Sequence, residues 1–427
     1  PTRRSSDLYG MRTGLYTSPH LEHVNERIAI DGQQLSDDDF VDTWDQIKDL
    51  VAMVDMKMEE LDKPKMSFFE VLTAMAIWKF ADAPVDVAIV EVGMGGRWDA
   101  TNVLDADAAI IGPIDMDHMA WLGNTVEQIA SEKVGIIKPG CTAVIGRQPH
   151  EEAVMPIIEE AARQNHANLV RDGVEAEVVT RIPAVGGQVA TLRTPNGTYA
   201  EVPIAKFGEH QAHNALAALC AAEVVIPVNG ALDGDLVAEA LSTVRIPGRI
   251  EQIRTSPTII LDGGHNVNAA ESLRAAIEEN YDFQQLVGVI AMMGDKQVEE
   301  YLGVLEPLLS HVVVTENSWR DRVMPAEDLK TVAERVFGAE RVTCVPELPD
   351  AIQEAVNMVD ADDELGVGYG HGVLICGSFT TAGDARLMLE EKVNPDLKKP
   401  KSERVFQEAV EPEPRKDQDE ADLDFES

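Results

Sequence analysis

The feature that most constrains this chain is an alternation: short apolar runs fit for strands recur along it, separated by stretches of helical periodicity. Chains of this kind fold as parallel α/β sheets, because a helix carries the chain back to the start of the next strand. Ser67 is placed to cap a helix reaching about Ala81, with Phe68, Phe69, Leu72, Met75 and Ala76 turned inward. Strands are expected at 86–92 and 108–114, the second leading into Asp115-Met116-Asp117-His118. A helix near 125–133 carries Glu132 and Lys133 in its last turn. Residues 174–204 read as short strands turned at Pro195-Asn196-Gly197, and an Ala-rich helix spans roughly 210–225.

Pro247 and Gly248 break whatever precedes them, so Arg245-Ile-Pro-Gly-Arg-Ile reads as a hinge. Beyond it the pattern restarts, with strands expected at 258–262, 285–291, 311–315, 341–345 and 372–376 in a smaller doubly wound domain. This divides the chain into residues 9–245 and 246–393. From Asn394 it turns to Lys-Lys-Pro-Lys and then to Pro, Asp and Glu; this tail, 394–427, is expected to be disordered. The first eight residues, without Met or targeting logic, read as a translated adaptor on a truncated reading frame, an artefact with no part in the fold.

Composition narrows the function. With 36 basic and 75 acidic residues the formal charge is -39, which excludes nucleic-acid binding through a general basic surface. An anionic substrate therefore needs a locally built positive site. No apolar run approaches the ~20 residues that span a bilayer, so no membrane partner is expected. Cys141, Cys220, Cys344 and Cys376 lie far apart, which suits buried free thiols in a reducing cytoplasm.

The stretch Val85-Asp-Val-Ala-Ile-Val-Glu91-Val-Gly-Met-Gly-Gly-Arg-Trp98 delivers a carboxylate at the end of a core strand and then breaks into glycines. Trp98 stands where a dinucleotide-binding loop needs its last Gly, so Glu91 serves something else. Three other polar groups fall at strand ends or in the loops after them: Thr17-Ser18-Pro19-His20, Asp115 to His118, and Asp262-Gly-Gly-His265-Asn266. Open α/β sheets bind ligands there, and a hydroxyl, a carboxylate and an imidazole suit Mg²⁺ beside phosphate oxygens. Taken singly, Glu91 also fits a paired structural carboxylate and His118 a hydrogen-bonded loop histidine. Lys133 fits a cation at a helix C-terminus, or a desolvated amine able to take up CO2 as a carbamate.

Several blocks, all in order, resemble one family. They are Gly14-Leu-Tyr-Thr-Ser-Pro-His-Leu, Asn25-Glu-Arg-Ile, Glu91 to Asn102, and Asp117-His118 with Leu122-Gly-Asn-Thr. Further along come Glu132-Lys133 with Gly135-Ile-Ile-Lys-Pro-Gly, His210-Gln with Asn214-Ala, Pro247-Gly-Arg249, and Asp262-Gly-Gly-His-Asn. From about Gly10 to Arg386 the chain resembles the folylpolyglutamate and dihydrofolate synthases of the Mur-ligase superfamily.

The resemblance implies a P-loop-type parallel-sheet ATPase domain, here missing its first strand and phosphate loop, plus a smaller Rossmann-like C-terminal domain. It implies an amide ligase that uses ATP to add L-glutamate to the γ-carboxylate of a folate, with dihydropteroate as a further candidate acceptor, through an acyl phosphate. Ser18, Glu91, His118 and a carbamylated Lys133 are then the ligands of two Mg²⁺ ions, with Lys133, His118 and Glu91 catalytic. Asn214, Arg249 and Asp262 are the ATP contacts. Ser67, Phe68, Phe69 and Glu70, with Asp99, Thr101 and Asn102, belong to the pterin region, while His265 and Ser378 neighbour the incoming glutamate. A monomer is expected.

The family's phosphate loop is a G-x-x-G-K-[ST]-like segment, and this chain contains no Gly-Lys dipeptide. The sequence as written is therefore expected to bind ATP poorly and turn over little, truncation being the expected cause. The alternative is a catalytically dead fragment that still binds folate or nucleotide.

Overall fold

The computed structural model describes residues 2–361 and 370–393, so the tail expected at 394–427 lies outside the described residues. Among them the C-terminal lobe is one six-stranded sheet. Glu251–Thr255 pairs antiparallel to Thr258–Leu261 at its edge. His371–Cys376, Gln285–Ile290, His311–Glu316 and Val342–Glu347 then follow in that order, all parallel. Each expected strand is present to within about two residues. The chain steps past one position after Thr258–Leu261 and returns to fill it last, which makes a topological switch point at the strands' carboxyl ends. Helices cover both faces: Leu286, Ile290 and Leu374 pack on one side, Val287, Val313 and Ile375 on the other, all buried. Strands buried on both faces must be apolar throughout, which is why these runs stand out in the sequence.

The N-terminal lobe is assembled from smaller pieces. Thr13–Tyr16 pairs parallel to Val87–Val90 and antiparallel to Ile28–Ile30, which pairs antiparallel to Gln33–Gln34. A separate parallel sheet joins Ala108–Ile111, Thr142–Ile145 and Asn168–Arg171. Val87–Val90 and Ala108–Ile111 thus end two different sheets, and Ile110 is 42% exposed. The single parallel sheet expected here is interrupted, with an antiparallel flap on one edge. A third sheet, Glu177–Ala184, Gly187–Arg193 and Thr198–Ile204, is antiparallel and packs on the helix Glu209–Val225.

Residues 2–8, given no part in the fold by the sequence reading, form a helix with Ser5 and Ser6 buried; Thr2 Oγ1 donates to the Ala218 carbonyl (3.1 Å). The helix Asp37–Glu60 was not expected. Ser36 Oγ accepts from the Asp39 N–H at its start, and three aspartates complement the dipole of its first turn. Of the four cysteines Cys344 is only half-buried, and all four are free thiols.

Candidate active site

Two parallel strands create the first half of the site. Tyr16 is in register with Val90, so the residues just past each strand, Ser18 and Glu91, emerge side by side. The Ser18 N–H donates to Glu91 Oε2 at 2.8 Å, and the Glu91 N–H to the Tyr16 carbonyl at 2.8 Å. Glu91 keeps exposed surface yet is recessed among protein atoms. That recession raises its carboxyl pKa, against the Ser18 N–H and then the charges of Arg249 and Arg27. Glu26 organises the next turn, its carboxylate accepting from the N–H groups of Leu21, Glu22 and His23. The Arg27 guanidinium donates to His20 Nδ1 (2.9 Å) and lies over Phe68. Burial, then Arg27, pushes His20 down to about 4, so the ring is neutral.

The second half follows Ala108–Ile111. Pro113 carries no N–H and the strand stops, giving way to Asp115–His118. His118 takes a left-handed conformation (φ 52°) and its N–H donates to Asp117 Oδ1. Burial lowers the His118 pKa despite Asp117, with Lys296, His265 and Lys133 adding to the effect. Burial likewise lowers Lys133, opposed by Asp117, and so favours the free amine that a carbamate requires. The glycine loop fixes this helix end. The Arg97 N–H donates to the Glu132 carbonyl, and a Cβ at Gly96 would meet the Glu132 and Lys133 carbonyls at 2.8 and 2.9 Å. Gly135 returns the contact against the Arg97 backbone. Only hydrogen at both positions lets the two segments interlock.

Asp117 ties the lobes together. Lys296 Nζ reaches Oδ1 at 3.1 Å, Asn266 Nδ2 donates to Oδ2 at 3.1 Å, and His265 Nε2 stands 3.6 Å away. Burial works against this carboxylate's charge, yet His265, His118 and Lys296 hold its pKa well below the usual range. The loop after Ser18 also meets the C-terminal lobe. Arg386 pairs with Glu22 and Glu251, and a Cβ at Gly383 would run into the Leu21 carbonyl.

The remaining expected residues divide sharply. Asn214 and Arg249 line one cavity of about 200 Å³ with Lys206 and Gln211. Arg249 also lies over the Phe379 ring, 5.2 Å from its centroid. Asp262 is 5% exposed and its oxygens accept from Ile250 N–H (3.0 Å) and Gly264 N–H (2.7 Å), so it ties the 248–250 turn to the 262–266 loop. Ser378 is buried, bonded to Asn317 and Thr381 at the start of a helix. Ser67 and Glu70 cap the helix Phe68–Asp82 reciprocally. Asp99 accepts from Met94 N–H, Thr101 N–H and Thr101 Oγ1, and Asn102 Nδ2 donates to the Arg97 carbonyl. Phe69 lines a larger cleft of about 740 Å³ with Ser67, Glu70 and Asp99, apart from the cavity of Asn214 and Arg249.

The four expected metal ligands stand as two pairs, Ser18 with Glu91 and His118 with Lys133. Among the described residues no three His, Cys, Asp or Glu side chains form a group able to hold a metal. The donors still fit Mg²⁺ in kind. Glu91 is a recessed carboxylate that a cation would relieve, Ser18 brings an oxygen, and nucleotide phosphates supply the ligands Mg²⁺ habitually takes from substrate. Asp117 lies in the expected strand-end stretch Asp115 to His118 without an assigned role, and Lys296 was absent from the expected set. Lys296 follows Gln285–Ile290 in Met293-Gly-Asp-Lys296, so the strand-end rule would have found it.

Two family models match the chain: the Mur ligase middle domain over residues 44–222 and the Mur ligase glutamate ligase domain over 248–379. The chain is 44% identical over 393 residues to a dihydrofolate synthase/folylpolyglutamate synthase of Mycobacterium tuberculosis, covering 88% of this chain and 80% of that one. To the Escherichia coli protein of the same name it is 31% identical, covering 90% and 81%. The fold matches the crystal structure of M. tuberculosis folylpolyglutamate synthase complexed with ADP and AMPPCP, with a TM-score of 0.85, 43% identity and coverage of 91% and 88%. It matches E. coli FolC in complex with DHPP and ADP with a TM-score of 0.74, 27% identity and coverage of 92% and 86%.

Proposed function

The chain belongs to the dihydrofolate synthase/folylpolyglutamate synthase family of Mur ligases, and from that premise we propose that it is an ATP-dependent ligase joining L-glutamate to a folate γ-carboxylate. What supports this reading most is the meeting of strand-end groups from both lobes, Asp117 from one with Lys296 and Asn266 from the other. Residues 9–245 and 246–393 act as two lobes hinged at 245–250. The enzyme works as a cytoplasmic monomer with no nucleic-acid partner; no described helix is long and apolar enough to cross a membrane.

A carboxylate is a poor acyl donor because oxide is a prohibitive leaving group. Transfer of the ATP γ-phosphoryl group to the γ-carboxylate gives an acyl phosphate. The glutamate amine attacks its carbonyl, phosphate departs, and the ammonium proton is lost as the amide forms. Arg249 and Asn214 bind the nucleotide, Arg249 held over Phe379 so that its charge faces the crevice beside Glu91. Asp262 holds the hinge in register with the 262–266 loop. The Asp117 contact shuts the lobes on the acyl phosphate and excludes water that would hydrolyse it. Ser18, Glu91, His118 and Lys133 as its carbamate would hold two Mg²⁺ ions, whose charge offsets that of the transferring phosphoryl group.

The test, in a chain with the family's phosphate loop restored, is ADP release that requires both a reduced folate and glutamate. Release with neither, or with glutamate alone, would contradict the proposal. Lys133 is tested separately: Lys133→Ala is inactive and partly rescued by short carboxylic acids, whereas activity equal to the parent's removes the carbamate.

A further inference from the structure

The strand Ala108–Ile111 runs parallel to Thr142–Ile145 with Ile111 opposite Ile145, and the Gly146 N–H donates to the Ile111 carbonyl at 2.9 Å. In a parallel ladder the next donor would be the N–H of residue 113, aimed at the Gly146 carbonyl. Pro113 has none. The side chain of Gln148 stands in for it. Its Nε2 donates to the Gly146 carbonyl at 2.8 Å and to the Gly112 carbonyl at 3.0 Å, while its Oε1 accepts from the Ile114 N–H at 3.0 Å. One carboxamide, with two donors and an acceptor, thus carries the join between the two segments past the proline.

What the carboxamide holds is the entry to the loop Asp115 to His118. Ile114 is fully buried in the core beside it, so with its N–H fixed as well the chain leaves the sheet in one direction. Beyond Ile114 the aspartates bond within the loop: Asp115 Oδ1 accepts from the Met116 N–H and Asp117 Oδ1 from the His118 N–H. The turn that carries Gln148 sends a second side chain forward, His150, whose Nε2 stands 3.1 Å from Asp115 Oδ1. Bonds internal to a loop do not fix where it points. That direction matters here, because a displacement of ~1 Å in a site can cost about 100-fold.

We propose that Gln148 is a positioning residue for the contact that shuts the lobes: its carboxamide replaces the ladder bond Pro113 cannot make and so delivers Asp117 to Lys296 and Asn266 of the other lobe. This rests on the ligase reading above, which needs the crevice closed at Asp117. Gln148 itself touches neither Lys296 nor Asn266, which reach Asp117 at 3.1 Å each; it acts through the path of the backbone between Gly112 and Asp117. Supporting partners of this kind set how accurately a site residue is held.

Acylation of the lysines of the full chain, followed peptide by peptide in a mass spectrometer, tests this without turnover. In the parent, Lys296, its side chain 11% exposed, should react far more slowly than the open Lys63. Gln148→Met keeps the length and removes the bonds. It should speed Lys296 by about tenfold, the scale of one buried group left unbonded. Lys206, whose amine is bonded to the Ile246 carbonyl elsewhere in the same lobe, should react as in the parent. Asp117→Asn should also speed Lys296, and adding Gln148→Met to it should bring no further rise, because both act on one contact. Parental reactivity of Lys296 in Gln148→Met, or a rise that multiplies with that of Asp117→Asn, overturns the inference and leaves the ligase reading standing. If Lys206 is released as well, Gln148→Met has lost its fold and His150→Ala, at an exposed position, decides: a rise of about threefold at Lys296 supports the inference and no rise overturns it. A parent in which Lys296 reacts as fast as Lys63 overturns it too, and takes away the closed contact on which the ligase reading draws.

Discussion

The two lobes use the same alternation of strand and helix to different ends. In the C-terminal lobe one sheet runs unbroken, its central strands sealed on both faces, with Val287, Leu374 and Ile375 at 0% exposure. The N-terminal lobe divides its strands among three smaller sheets, leaves Ile110 at 42% exposure, and brings most of the strand-end groups that could meet metal and phosphate. One lobe is therefore continuously packed, while the other gives up continuous packing around the strand ends that carry the candidate site. Changes in the first should cost stability, and changes in the second should cost chemistry.

The largest effect expected is on chemistry. In a chain with the family's phosphate loop restored, Glu91→Gln should lower folate- and glutamate-dependent ADP release by about 100-fold or more, the loss of several kcal/mol of charge stabilisation, while the thermal midpoint barely moves. A large fall in the midpoint would make Glu91 a structural carboxylate and break the contrast. On the other side, Leu302→Ala, at a fully buried position, should cost roughly 2–5 kcal/mol in denaturant unfolding, with kcat retained once the protein is folded. Next is Gly383→Ala, whose new methyl would press on the Leu21 carbonyl. A cost of about 1–3 kcal/mol should appear as weaker lobe docking, read by faster proteolysis at the hinge. Ser67→Ala should lose about 1 kcal/mol of helix capping, seen in amide exchange over 68–72, without changing the KM for folate. Smallest of all, Ile110→Ala should stay within about 0.5 kcal/mol of the parent because water already reaches that side chain.

The same contrast governs what could be read from the sequence. The runs at 285–290 and 371–376 are legible because burial on both faces demands unbroken apolar character. Val87–Val90 is four residues long and its Ala88 is exposed, so its existence was readable but its place in an interrupted sheet was not. The helix Asp37–Glu60 was missed because Leu50, Met53, Val54 and Met56 face solvent and blur the inward stripe of Phe40, Ile47 and Val51. Strand-end logic singled out Ser18, Glu91, His118 and the 262–266 loop, and the structure sets Ser18 beside Glu91 and Asn266 beside Asp117. It could not foresee that Asp262, Ser378 and Asp99 would spend their oxygens on nearby N–H and hydroxyl groups. Those partners are chosen by local backbone geometry, which residue identity alone does not carry. The Ser67-x-x-Glu70 pattern announces a capping box, and the structure uses both side chains for it.

Oxygen tracing reaches the chemistry between the lobes most directly. If a folate labelled with ¹⁸O in its γ-carboxylate is turned over with ATP and glutamate, inorganic phosphate should leave carrying ¹⁸O from that carboxylate. Phosphate released without the label would mean that no acyl phosphate forms, and the ligase chemistry assigned to this crevice would be wrong.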